Sequence, residues 1–248
     1  MKLIRKIKEK QVLGLVPIIA EIKRYVPAVG KKITKDSRSA GFLAKQYEQG
    51  GACGISIVGE KRYFYGQPEK DIPEVLNQTR LPILIKDFIS TKEQVLKYKK
   101  ICLSSMSSIK DRVVILLIAN HLKNALKEMV EYCNEMGMRP MIEIKQIRDL
   151  KYISILKKGS FIVGFNNKDI DTLEKRNNKT KLNKKLMLVL RKIYKGIVIS
   201  ESGHKTIKDI KKSIKVGADV VLVGTVFMQA EDPLVKVRSF VNLLKREN

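Results

Sequence analysis

The chain has 248 residues, 44% hydrophobic and 30% charged, which is enough apolar material for a buried core and excludes an intrinsically disordered protein. Fifty Lys and Arg face 25 Asp and Glu, yet this excess of +25 is scattered along amphipathic segments, aromatics are only 6% and Trp is absent. That pattern argues against a dedicated nucleic-acid binder, and the widely spaced Cys53, Cys102 and Cys133 fit neither a disulfide framework nor a zinc motif, pointing to a reducing cytoplasm.

The opening, MKLIRKIKEK, is basic and amphipathic, and the apolar run after it is short and already contains Glu21. It reads as a helical extension over residues 1–15 leading into a first strand, neither a signal peptide nor a membrane span. Apolar, β-branched runs of strand length follow at 16–23, 54–60, 81–88, 112–119, 139–144, 160–166, 195–202 and 219–225. Their near-continuous hydrophobicity is that of parallel strands buried on both faces.

Between them lie segments with helical spacing. SRSAGFLAKQYEQG follows the first run, and after the third STKE sets Ser90 three residues before Glu93, which predicts a capping box. NHLKNALKEMVEYCNEMG and KTIKDIKKSIKVG each end at a glycine suited to a C-cap, and Asp232 before Pro233 starts the last helix. Residues 101–111, ICLSSMSSIKD, break the rhythm with Ser and Lys and have no evident role. Eight strands each followed by a helix predict a (β/α)8 barrel. No low-complexity linker interrupts it, so 1–248 is expected to be a single domain.

In such a barrel the C-terminal strand ends face the active site. Glu21 and Lys23 end the first run, two residues apart and therefore on one face. Glu60, Lys86, Phe88, Glu143, Asn166, Glu201 and Ser202 end later runs. Any one of these charges is equally well explained as an ion pair closing the barrel, but so many in one mouth call for mutual pairing around a charged ligand. Gly203 follows the seventh run and Gly224 stands at the end of the eighth, where barrels grip phosphate, and Thr225 adds a hydroxyl. Phe88, and Phe64 in the polar and aromatic loop EKRYFYG, are placed to pack against a flat apolar ring. His121 and His204 stand alone at loop-to-helix junctions and read as surface or capping residues. No cluster suited to a metal or an organic cofactor is present, and none is expected to be needed.

With PIIAEIKR, EKRYF, PILIKDFI, IEI, VGFNNKDIDTLE, SESG and VLVGT in that order, the chain resembles the indole-3-glycerol phosphate synthase family from about residue 16 onward. The resemblance implies a decarboxylating carbon-carbon lyase of tryptophan biosynthesis. The family closes the ring of 1-(2-carboxyphenylamino)-1-deoxyribulose 5-phosphate, a small anionic substrate, releasing carbon dioxide and water. It implies Lys86 as general acid, Lys23 and Glu143 as the acid and base of dehydration, and Glu21 as their charged companion. Substrate contacts are implied for Phe64, Phe88, Asn166, Lys168, Glu201, Ser202 and Leu222, and phosphate contacts for Gly203, Gly224, Thr225 and Lys23. A cytoplasmic monomer is expected.

The chain departs from the family pattern in places. Val26, Pro27 and Ala28 stand where the family usually has Ser-Pro-Ser, so a phosphate-binding hydroxyl is missing, a loss of about 1.5–3 kcal/mol for a charged-group hydrogen bond. Lys168 replaces the usual Arg near the substrate carboxylate, trading a planar fork for a point charge. The short stretch ahead of the first strand implies that part of a lid is absent. The expectation is a working enzyme with reduced substrate affinity. The competing readings are another phosphate-binding barrel enzyme, such as phosphoribosylanthranilate isomerase, and a non-catalytic basic barrel that binds RNA or an acidic partner.

Overall fold

The computed structural model describes residues 1–26, 38–167 and 183–243 and the backbone of 31–32. Pro27, Ala28 and Lys168 lie outside the described residues. Strands β1 (Ile18–Ile22), β2 (Gly54–Val58), β3 (Ile83–Lys86), β4 (Val113–Ile118), β5 (Arg139–Ile144), β6 (Ile162–Asn166), β7 (Val198–Glu201) and β8 (Val220–Val223) form a closed barrel. Each pairs in parallel with the next, and β8 pairs in parallel with β1. The (β/α)8 architecture read from the sequence is the one observed.

The strands are apolar on both faces because both are buried. Ile19, Leu84, Leu116, Met141, Ile162 and Ile199 fill the barrel interior. Their chain neighbours Ile18, Ile83, Ile115, Ile142, Val163 and Val198 belong to the larger core between the sheet and the helices.

Helix α1 (Lys2–Val12) does more than lead into β1. Its Leu3 and Ile7 are buried within the interior cluster, so the helix closes the N-terminal end of the barrel. Gly54, at the start of β2, leaves room for it: a Cβ there would lie 3.2 Å from Leu3 Cδ1. The segment 101–111 acquires a role here. The Lys2 N–H donates to the Asp111 carbonyl at 3.0 Å, and the terminal ammonium lies 3.7 Å from the Asp111 carboxylate.

Helices α2 (Ala40–Gln49), α3 (Pro68–Gln78) and α4 (Lys92–Leu103) follow β1, β2 and β3. Ser39 caps α2 by accepting from the Phe42 N–H. The capping box of α4 falls one residue later than the sequence suggested, on Thr91 and Gln94 in place of Ser90 and Glu93. The reason is that the Gln94 carboxamide accepts from the N–H groups of Ser90 and Thr91 and donates to the Phe88 carbonyl, a span Glu93 does not cover. The helix expected over NHLKNALKEMVEYCNEMG is split into Ala119–Leu122 and α5 (Leu126–Glu135), because Lys123 turns to φ +50. Further on come α6 (Leu150–Ser154), α7 (Lys184–Ile193), α8 (Ile207–Lys215), the short α9 (Thr225–Met228) and α10 (Pro233–Val241), the last capped by Asp232. Gly137 and Gly217, at the ends of α5 and α8, take the positive φ that a left-handed C-terminal position requires. A two-stranded ribbon, Tyr25–Val26 against Lys31–Lys32, follows β1 and had no signal in the sequence.

Candidate active site

A cavity of about 380 Å³ opens at the C-terminal ends of the strands. Glu21, Lys23, Lys86 and Glu143 line it, together with Phe64, Phe88, Asn166 and Leu222. Ser202, Gly203, Gly224 and Thr225 line the side formed by the loops after β7 and β8. With Val58 and Leu116 also in the lining, residues from seven of the strands meet here because a parallel barrel brings every C-terminal strand end to one rim.

Opposite charges alternate across this floor. Lys23 Nζ lies 2.9 Å from Glu21 Oε1, Lys86 Nζ lies 3.6 Å from Glu21 Oε2, and Lys86 Nζ lies 2.6 Å from Glu201 Oε2. Glu201 is fully buried behind Lys86 and is not among the residues lining the cavity. Burial works against the Lys86 charge, but Glu201, Glu21 and Glu143 outweigh it and hold the ammonium well above the usual lysine value. Burial likewise opposes the Glu21 carboxylate, yet Lys23 and Lys86 keep it below its ordinary value. Burial pushes Glu201 up, against the pull of Lys86. The outcome is a protonated lysine pinned in a pocket, as general acid chemistry at neutral pH requires.

Two glycines make the cluster possible. A Cβ on Gly164 in β6 would sit 2.2 Å from Glu201 Oε1, and one on Gly224 would sit 2.6 Å from Glu21 Oε1. Gly224 therefore does more than admit a ligand: it vacates the space that the Glu21 and Lys23 side chains occupy. Gly164 was missed from the sequence, although a glycine inside an apolar strand is a signal for such close approach.

Other residues serve differently from their first reading. Glu60 lines the cavity wall, but its carboxylate accepts from the N–H groups of Arg62, Tyr63 and Phe64 at 2.9, 2.7 and 3.0 Å. It folds the loop that carries Phe64 to the cavity. Asp87, which the sequence did not single out, also lines the cavity and accepts from the Tyr98 hydroxyl and the Phe88 N–H. His121 packs its ring against Phe88, with centroids 5.9 Å apart.

His204 overturns its assignment as a surface or capping residue. It is buried in the loop after β7, with its ring nitrogens 3.1 Å from the Leu222 carbonyl and 2.9 Å from Ser213 Oγ. Burial pushes it down from 6.5 to about 4, so the folded protein keeps it neutral. Between those values the unfolded chain binds more protons, so stability falls as pH drops from 6.5 toward 4, by about 3 kcal/mol for a shift of this size. Denaturant unfolding of His204→Asn across that window should show a correspondingly smaller loss, and an equal loss in both proteins would refute the linkage.

Among the described residues no helix is long and apolar enough to cross a membrane, and no group of three or more His, Cys, Asp and Glu is placed to hold a metal ion. A closed parallel barrel with a lysine and carboxylate floor at its C-terminal rim, flanked by glycine loops after the last two strands, defines a (β/α)8 enzyme. The family model of indole-3-glycerol phosphate synthase matches residues 2–240. The chain is 36% identical over 226 residues to the indole-3-glycerol phosphate synthase of Pyrococcus furiosus, covering 91% of each chain. It is 31% identical over 226 residues to that of Aquifex aeolicus, covering 90% of this chain and 80% of the relative. The chain belongs to the indole-3-glycerol phosphate synthase family. A tryptophan synthase structure from M. tuberculosis, at 10% identity and a TM-score of 0.65 over 98% of this chain and 97% of that one, shares the fold alone.

Proposed function

We propose that this protein converts 1-(2-carboxyphenylamino)-1-deoxyribulose 5-phosphate to indole-3-glycerol phosphate, with release of carbon dioxide and water. The observation that carries this reading is Lys86, held protonated by Glu201 and Glu21 on the floor of a cavity that also presents Phe64 and Phe88. The aryl ring packs between the two phenylalanines, and Leu222 adds an apolar contact. The ring carbon bearing the carboxylate attacks the ketone carbon while Lys86 gives its proton to the ketone oxygen, which becomes a hydroxyl. Loss of the carboxylate as carbon dioxide returns its bonding electrons to the ring and restores aromaticity.

Dehydration then needs an acid to protonate the departing hydroxyl and a base to take the adjacent carbon-bound proton. Lys23 and Glu143, which line the same cavity, supply this pair. Asn166 and Ser202, which line the cavity, orient the sugar hydroxyls, while the buried Glu201 holds Lys86. Lys23, Thr225 and the backbone of Gly203 and Gly224 receive the phosphate. The three free cysteines are buried, which supports a cytoplasmic site of action.

Purified protein mixed with this substrate should develop indole fluorescence. A folded protein that gives no signal at millimolar substrate, or that turns over phosphoribosylanthranilate instead, would overturn the assignment. Tight RNA binding with a steep salt dependence and no turnover would favour the non-catalytic barrel.

Val26 is buried and lines the cavity where the family usually presents a serine hydroxyl. Val26→Ser should lower KM by about tenfold, the value of one hydrogen bond to a charged group, with little change in kcat. An unchanged KM would show that the phosphate is held without this position.

A further inference from the structure

Between β7 and α8 the backbone takes a course that side chains disfavour. Ser202 has φ +65 and Gly203 φ +79, and a non-glycine residue persists there only where its surroundings leave no alternative. Two side chains supply that constraint. Ahead of the turn, Asn167 Nδ2 lies 2.8 Å from the Glu201 carbonyl and 3.1 Å from the Ser202 carbonyl. Behind it, His204 Nδ1 donates to the Leu222 carbonyl at 3.1 Å, which leaves Nε2 to accept from Ser213 Oγ at 2.9 Å, with Ser200 Oγ at 3.3 Å.

One imidazole thus joins β7, β8 and α8. An apolar side chain of similar size would fill the space without setting how the β7 loop sits against β8, whereas a buried polar ring with both nitrogens bonded specifies one arrangement. Ser202, Gly203 and Lys205, on either side of it, line the cavity on the same side as Gly224 and Thr225. His204 itself borders the cavity, but both its nitrogens are engaged by protein groups, so its polar influence on a ligand passes through the loop.

We propose that His204 is a positioning residue: it locks the Ser202–Gly203 turn so that the Gly203 backbone and the Lys205 side chain face the phosphate end of the substrate. This rests on the reading of the cavity as a site for a phosphorylated sugar. It adds Lys205, which lines the same cavity, to the groups that receive the phosphate.

The test compares wild type, His204→Ala, His204→Asn and Ser213→Ala in steady-state kinetics, in competitive inhibition by inorganic phosphate and in thermal unfolding. His204→Ala should raise KM by about tenfold, a typical cost of a misplaced contact, while kcat stays within about threefold. The inhibition constant of inorganic phosphate should rise by the same factor. His204→Asn keeps a donor for the Leu222 carbonyl and should recover most of the affinity, whereas Ser213→Ala should shift KM and the phosphate constant together by a smaller factor. A folded His204→Ala with unchanged phosphate inhibition, or with kcat lost at constant KM, would overturn the proposal. If His204→Ala does not fold, Ser213→Ala decides, and unchanged constants there would overturn it equally. Should wild type turn over no substrate, the functional reading fails separately, and calorimetric phosphate affinity of the same variants still decides the role of His204.

Discussion

Lys86→Met is expected to lower kcat by about a thousandfold or more, at the upper end of what a positioned general acid contributes. Methionine keeps most of the side-chain volume, so the loss reports the ammonium and not a void. The same change strips the cation from Glu201, which is 0% exposed and 2.6 Å from Lys86 Nζ. Removing one partner of a buried ion pair costs about 3–5 kcal/mol, because the remaining charge has neither water nor a counterion.

Glu201 can escape that cost by taking up a proton, which burial already favours. The folded variant then binds more protons than the unfolded chain, so its stability should rise as the pH is lowered toward the ordinary carboxylate range. Adding Glu201→Gln to Lys86→Met removes the orphaned charge. The double variant should regain most of the lost denaturant stability while remaining inactive. Kinetics and urea unfolding of the two variants separate the chemistry from the charge balance. Wild-type kcat in a folded Lys86→Met would eliminate Lys86 as the acid.

Gly164→Ala is expected to reduce kcat by about a hundredfold while the barrel stays folded. The added methyl would lie 2.2 Å from Glu201 Oε1 and 3.2 Å from Met141 Cε, so the carboxylate must move. Because Glu201 holds Lys86, the ammonium moves with it, and with Lys86 as the proposed acid a displacement of about 1 Å is worth about two orders of magnitude in rate. The clash is with the end of a side chain and not with backbone, so the stability loss should stay within about 1–3 kcal/mol. Kinetics with parallel thermal unfolding would test this. Full activity would mean that Glu201 relaxes without disturbing Lys86.

The barrel was legible because its signals are local. Apolar runs of strand length, helical spacing between them and polar residues where each run ends all sit within a few positions of one another. In a parallel barrel the end of a run is also the rim of the site, so Glu21, Lys23, Lys86, Glu143 and Asn166 were readable as a set before any distance was known. The capping box shifted to Thr91 and Gln94 because the Gln94 side chain reaches the turn carrying Phe88, and residue type alone does not rank such reach. Helix α1 read as an amphipathic lead-in, since nothing in its own spacing says whether Leu3 and Ile7 meet solvent or the end of a barrel.

Chain order and residue type thus sufficed for the fold class, for the strand ends that bear charge and for the family, since each depends on short-range pattern. Barrel closure decided which charges pair. Lys86 and Glu201 are 115 residues apart in the chain and become partners only when β3 and β7 face one another across the interior. The same closure turns Gly164 into the space for a carboxylate and buries His204 between two strands and a helix. Contacts across a closed sheet depend on the separation and tilt of strands distant in sequence, and this geometry comes into being only when the last strand meets the first.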